Sequence, residues 1–173
     1  MGREEGTCLI YVGIDPGLTG AIAILKGKKI TFIDTPTELV KRNTSRRVYN
    51  PVVMAAYVHD ILTMTKHGVH VGIERQSAMP GQGVSSMFSI GMGYGLWMGI
   101  IAAAGIPYTI IEPRAWKKEL MQGMGKEKGA SVIRLCQLYP SVAKDLKLKK
   151  HHNRADAGMI AEYVRRKIRD VQN

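Results

Sequence analysis

The sequence predicts an α/β fold: a five-stranded mixed sheet, made of a three-stranded antiparallel meander and two further strands, with helices on both faces. Three observations predict it. Near the N-terminus, three short apolar runs are separated only by turn-forming residues. After them, helical periodicity alternates with further short β-branched runs. Forty-five per cent apolar residues in a chain of 173 are enough for one core without a disulfide or metal staple. Residues 1–173 are therefore read as one domain, with 1–7 and 169–173 as flexible ends.

The elements follow in order. Cys8–Ile14 is an apolar, β-branched run and reads as a buried strand; Asp15–Gly20 is a turn, and Ala21–Leu25 a second strand. Lys26–Lys29 turns the chain into Ile30–Ile33, the third strand. Glu38–Tyr49 is dense in Lys and Arg, lacks a strong period, and is assigned to an exposed loop. Pro51 opens a helix with Val53, Ala56, Tyr57, Ile61 and Met64 at three-to-four spacing. Gly68 closes it, and Val69–Ile73 is a fourth strand ending on Glu74. Ala78–Gly83 reads as a loop, Ser85–Ala104 as a long buried helix, Ile106–Ile111 as the fifth strand and Glu112-Pro-Arg as a turn. Helical patterns follow near Lys128–Leu138 and Ala155–Lys167; there is no internal repeat.

Twenty-five Lys and Arg against 14 Asp and Glu leave a net charge of +11 and a pI near 9.8. A surplus of that size favours a polyanionic partner, nucleic acid being the commonest, although ribosomal and membrane-surface proteins share the bias. Cys8 and Cys136 lie apart inside apolar segments and read as reduced core residues. The first residues lack the apolar stretch of a signal peptide. The most apolar run, Leu96–Ile106, falls short of the roughly 20 residues of a membrane span. Neither secretion nor membrane insertion is expected, and the compartment indicated is cytoplasmic.

The acids are placed informatively. Asp15 and Glu74 each follow a strand expected in the sheet centre, and Asp156 starts the last helix beyond the basic stretch Lys144–Arg154. Delivered to one end of a sheet, three carboxylates form an anionic cluster that is costly without a cation, and hard oxygen donors select Mg²⁺ or Mn²⁺. Two such ions about 4 Å apart can activate a water and stabilise the leaving oxygen of a phosphodiester. Taken singly, each acid has a plainer reading. Asp15-Pro-Gly is also a generic turn, Glu74 beside Arg75 a surface ion pair, and Asp156 a helix-start acid favoured by the macrodipole.

Gly13-Ile-Asp-Pro-Gly-Leu-Thr-Gly-Ala21 resembles the first motif of the RuvC family of Holliday-junction resolvases, which have a ribonuclease H-like fold. Ile73-Glu-Arg-Gln76 resembles the second motif, and Arg154-Ala-Asp-Ala157 with Ile160-Ala161 the last. Ala78–Phe88 and Gly93–Trp97 are similar to the phage and plant-organelle branch, so that an organelle matrix is the alternative compartment. The resemblance implies a metal-dependent endonuclease that makes paired, symmetric nicks in four-way DNA junctions and leaves 5′-phosphate and 3′-hydroxyl ends. It implies two Mg²⁺ ions per site, with Mn²⁺ as the alternative, held by Asp15, Glu74 and Asp156. The family's fourth ligand falls at His152 or Asn153, with His151 a neighbour; His152 matches the plant-organelle pattern best. The resemblance also implies a lysine near the scissile phosphate, here Lys126 or Lys128, which spacing does not separate.

Two basic runs flank the expected site. Lys41, Arg42, Arg46 and Arg47 lie in one, and Lys147, Lys149, Lys150 and Arg154 in the other; such cations suit phosphate contacts that position a duplex. Gly91–Gly99 is unusually rich in glycine for a helix, and in the resembled family the corresponding helix packs in a homodimer. Tight packing on the chain's own sheet is the alternative. Two readings stand beside the resolvase: a related nuclease acting on other branched or flap DNA, and a junction-binding protein that does not cut.

Overall fold

The computed structural model describes residues 9–41, 45–125, 127 and 129–172, with the backbone course alone for 169–172. Residues 1–7 and 173, expected as flexible ends, lie outside the described residues, as does Cys8.

Strands β1 (Ile10–Asp15), β2 (Ala21–Lys26) and β3 (Lys29–Asp34) form the antiparallel meander. Strands β6 (Val69–Glu74) and β7 (Tyr108–Ile111) add in parallel, giving the order β3-β2-β1-β6-β7. β1 is central and covered on both faces, which is why Ile10–Ile14 is uniformly apolar with no alternation. Helices α1 (Pro51–Thr63) and α2 (Val84–Ala103) cover one face, over Ile10, Val12, Ile14, Ile22 and Ile24. Helices α3 (Pro113–Leu120), α4 (Ala130–Leu138) and α5 (His152–Gln172) cover the other, over Tyr11, Ala21, Ala23 and Leu25. The predicted five-stranded mixed sheet with helices on both faces is thus the observed one. α1 begins as its residues dictate: the Asn50 side chain accepts from the Val53 amide at 3.1 Å, and Pro51 fills the first helical position.

Four local expectations are corrected. The segment read as an exposed loop contains strands β4 (Thr37–Lys41) and β5 (Ser45–Tyr49), a separate antiparallel ribbon. Its side chains are mostly exposed, so it carries no apolar alternation to reveal it. Its base is anchored by buried Tyr49, whose hydroxyl donates to the Pro16 carbonyl at 3.3 Å and which packs where a side chain at Gly93 would stand. Second, Glu112-Pro-Arg does not simply turn; Pro113 opens α3, which buries Trp116 and Leu120 one helical turn apart. Third, α2 is not buried throughout. Only its line Gly93, Trp97, Ile101 packs fully on the sheet, while Val84 and Phe88 remain 79% and 64% exposed. The helix also has the 20-residue length and apolar character of a membrane span, which the shorter run Leu96–Ile106 does not suggest. Fourth, α5 begins at His152, so Asp156 sits in its second turn.

Candidate active site

Strand parity aims the acids. Along β1, Tyr11, Gly13 and Asp15 face one side of the sheet, and along β6, His70, Gly72 and Glu74 do the same. The two strands run parallel with Gly13 beside Gly72 and Ile14 beside Ile73, so Asp15 and Glu74 end adjacent strands side by side. α5 crosses on that face. A Cβ at Gly13 would collide with the Ala157 carbonyl and the Ala161 amide, and one at Gly72 with the Val164 and Ile160 side chains. Two adjacent glycines therefore let the helix lie directly on the strands, which carries Asp156, one residue before Ala157, to Asp15. Asn153 completes the placement: its side-chain amide donates to the Thr19 carbonyl at 2.5 Å, tying the first turn of α5 to the turn that follows Asp15.

The electrostatics record this convergence. Burial and then the charges of Glu74 and Asp156 push the Asp15 carboxyl up to about 7, against smaller relief from the Gly17 amide and His152. Burial also raises Glu74, opposed by hydrogen bonds from Trp116 and Gln76 and by the charge of Lys117. Asp156 is raised by burial too, opposed by Ser131, Lys117 and His152. Three carboxylates each driven toward protonation make a site short of positive charge. Among the described residues, no three His, Cys, Asp or Glu side chains already enclose a single metal position. The donor chemistry nevertheless fits hard divalent cations: three oxygen donors destabilised as anions and one imidazole.

His152 stands close enough for its charge to act on Asp15 and Asp156. One of its nitrogens, Nδ1, lies 2.9 Å from the Lys149 carbonyl oxygen, which can only accept, so the neutral ring carries its proton there and keeps the lone pair on Nε2. Its neighbour His151 is buried, and its Nδ1 accepts from the Leu148 amide at 3.2 Å; Asn153 donates through Nδ2 to the Thr19 carbonyl.

His152 and Asp156 line a cleft of about 490 Å³ with Trp116, Lys117, Met121 and Ser131. Trp116, Lys117 and Ser131 are site residues that the sequence reading missed. The Trp116 indole N–H donates to Glu74 Oε1 at 2.9 Å, and the Lys117 ammonium lies 5.1 Å from the centre of the Trp116 ring. The spacing Pro113, Trp116, Leu120 was the available signal. On the far side of His152 the cleft adjoins a second depression, lined by Lys147, Lys149 and Lys150. Lys41, Arg46 and Arg47 stand on the β4–β5 ribbon, where Arg47 Nη1 also donates to Thr37 Oγ1 at 2.8 Å. Arg154 is held by Asp34 through bonds of 2.6 and 2.9 Å and by the Asp145 carbonyl at 3.1 Å. Arg42, Lys126 and Lys128 lie outside the described residues.

Acids thus stand at the ends of two adjacent strands of this mixed sheet and on the helix crossing them. Solved structures agree on the fold. Thermus thermophilus RuvC in complex with a Holliday junction substrate superposes with a TM-score of 0.55 at 18% identity over 90% of both chains. A second T. thermophilus RuvC structure gives a TM-score of 0.51 at 18% identity, covering 88% of this chain and 90% of that one. Among curated proteins, the chloroplastic Holliday junction resolvase MOC1 of Chlamydomonas reinhardtii is 31% identical over 92 residues. That match covers 53% of this chain and spans only 10% of the relative's length. No protein-family model matches the chain.

Proposed function

We propose that this chain is a structure-selective DNA endonuclease that resolves four-way junctions by divalent-metal-dependent hydrolysis of opposed strands. The observation that carries the reading is the gathering of Asp15, Glu74 and Asp156 at one spot of a protein with a net charge of +11. An isolated anionic cluster in a cationic molecule suits metal ions bound against phosphate. The similarity to junction resolvases supports the choice of a four-way junction as substrate.

In this reading Asp15, Glu74, Asp156 and His152 Nε2 hold two Mg²⁺ ions, with Mn²⁺ able to replace them. When bound, the metals supply an activated water and stabilise the leaving oxygen. Lys117 faces Glu74 and Asp156 from α3 and offsets charge building on the phosphate, a role shared with Lys126 or Lys128. Lys147, Lys149 and Lys150 hold the strand being cut, and Lys41, Arg42, Arg46 and Arg47 grip a neighbouring arm by its phosphates. Arg154 keeps the start of α5 against Asp34 and adds its charge to the same edge. A homodimer through the outward face of α2 sets two such sites on opposed strands. On that face Gly91, Gly95 and Gly99 have open space where a Cβ would stand, and Phe88 and Met92 are exposed.

The test is cleavage of a synthetic four-way junction beside flap, fork and duplex DNA in Mg²⁺ and in Mn²⁺. Paired cuts confined to the junction are expected, and Asp15→Asn should keep junction binding while cleavage drops at least about a thousandfold. Equal cutting of flaps would make this a broader branched-DNA nuclease. Binding without cutting by the wild-type chain would make it a junction-binding protein.

A further inference from the structure

We infer that Trp116 is the positioning residue of the metal centre, fixing the Glu74 carboxylate in orientation through its indole N–H. The inference rests on the metal-centre reading above. Glu74 ends β6 half-buried, and both its oxygens are engaged: Oε1 accepts from Trp116 Nε1 at 2.9 Å and Oε2 from Gln76 Nε2 at 3.3 Å. The two donors differ in kind. Trp116 is 1% exposed and belongs to the α5-side core with Leu120 and Leu135, so its ring is immobilised by packing. An indole N–H only donates and never ionises in this range, so it neither competes for a cation nor exchanges its role with the carboxylate. Gln76 forms the longer bond, from the segment just beyond the strand, through a flexible side chain that no core packing fixes as it does Trp116. Glu74 is thus clamped at one oxygen by a rigid donor and held at the other by an exchangeable one. Such partners of a metal ligand typically contribute 10–100-fold to metal affinity. Packing alone would explain an aromatic at this position; it does not explain a buried indole N–H spent on the carboxylate.

Trp116→Phe keeps the aromatic packing and removes the donor. Mn²⁺ binding, read from the electron paramagnetic resonance of free Mn²⁺, should weaken at least about tenfold in this variant. It should be abolished in Asp15→Asn and little changed in Gln76→Ala. A second measurement needs no change at Trp116. Of the two indole N–H resonances in the nitrogen–proton correlation spectrum, from Trp97 and Trp116, one should shift on Mg²⁺ binding and in Glu74→Gln, while the other stays. Wild-type Mn²⁺ affinity in folded Trp116→Phe, or two indole resonances indifferent to both Mg²⁺ and Glu74→Gln, would overturn the role of Trp116. No Mn²⁺ binding by the wild type, or equal binding by Asp15→Asn, would overturn the metal centre itself.

Discussion

Asp15 shows how a single side chain can be costly to the fold while holding the place the proposed chemistry needs. Its folded-state pKa of about 7 lies above the ordinary 3.8, so the folded metal-free protein binds a proton there more tightly than the unfolded chain does. That contribution favours folding fully below pH 4 and is lost as pH rises through 7. In chelator, the melting temperature should therefore fall between about pH 4 and 7 from this group. Asp15→Asn should raise stability at pH 7.5 by about 1–2 kcal/mol, a figure discounted for solvent screening of a partly exposed carboxylate. Thermal melts of both forms with and without Mg²⁺ check this; a destabilised Asp15→Asn in chelator would show that the carboxylate is not under strain. At this scale Asp15 and Glu74 were legible from the strands they end, whereas Asp156 was read as a helix start and lies in the second turn of α5. The choice among His151, His152 and Asn153 was not legible, since it depends on which way each side chain turns. The Lys149, Leu148 and Thr19 backbone groups bond these three side chains, and residue type does not announce those contacts.

Elements place those side chains, and the contact of α5 with β1 and β6 is the one that matters most. Gly13 and Gly72 sit side by side beneath the helix, and a Cβ at either meets helix atoms at distances no packing tolerates. Gly13→Ala meets backbone, which does not rotate away, so it should displace α5, separate Asp156 from Asp15, and cost roughly 3 kcal/mol or more. A folded Gly13→Ala protein with unchanged Mn²⁺ affinity and melting temperature would refute this account of how the site is assembled. Such a contact is invisible in a single sequence, where Gly13 reads as part of a strand. The sheet was legible because buried strands must be apolar. The β4–β5 ribbon was not, because apart from Tyr49 its side chains are exposed or only half-buried. α3 was hidden by brevity: eight residues with Lys117, Lys118 and Glu119 among them leave only Trp116 and Leu120 as an apolar face. In α2, apolar composition was read as burial, yet the structure buries one narrow line and leaves the opposite one open.

At the scale of the whole molecule, the proposed function joins a long-range field to a symmetry. With a net charge of +11, junction affinity should fall steeply with salt, as phosphate contacts release counterions. Replacing Lys149 and Lys150 together by Ala should make the slope of log K against log salt shallower by about 2, which binding isotherms at several salt concentrations would read. Three glycines on one exposed line of α2 cost the helix roughly 1 kcal/mol each against alanine, and among the described residues no side chain takes up the space they leave. If a second copy takes it up, bringing two clefts onto opposed strands, then the loss of helix stability is offset by close approach of backbones. Gly95→Ala should then stabilise an isolated chain slightly, whereas Gly95→Leu should separate the dimer by filling the contact, leaving the cleft on the opposite face of the sheet intact. Sedimentation would report a monomer, and a cruciform plasmid would be nicked in one strand instead of linearised by paired cuts. A Gly95→Leu protein that sediments as a dimer and still linearises the cruciform would place the symmetric contact elsewhere on the surface.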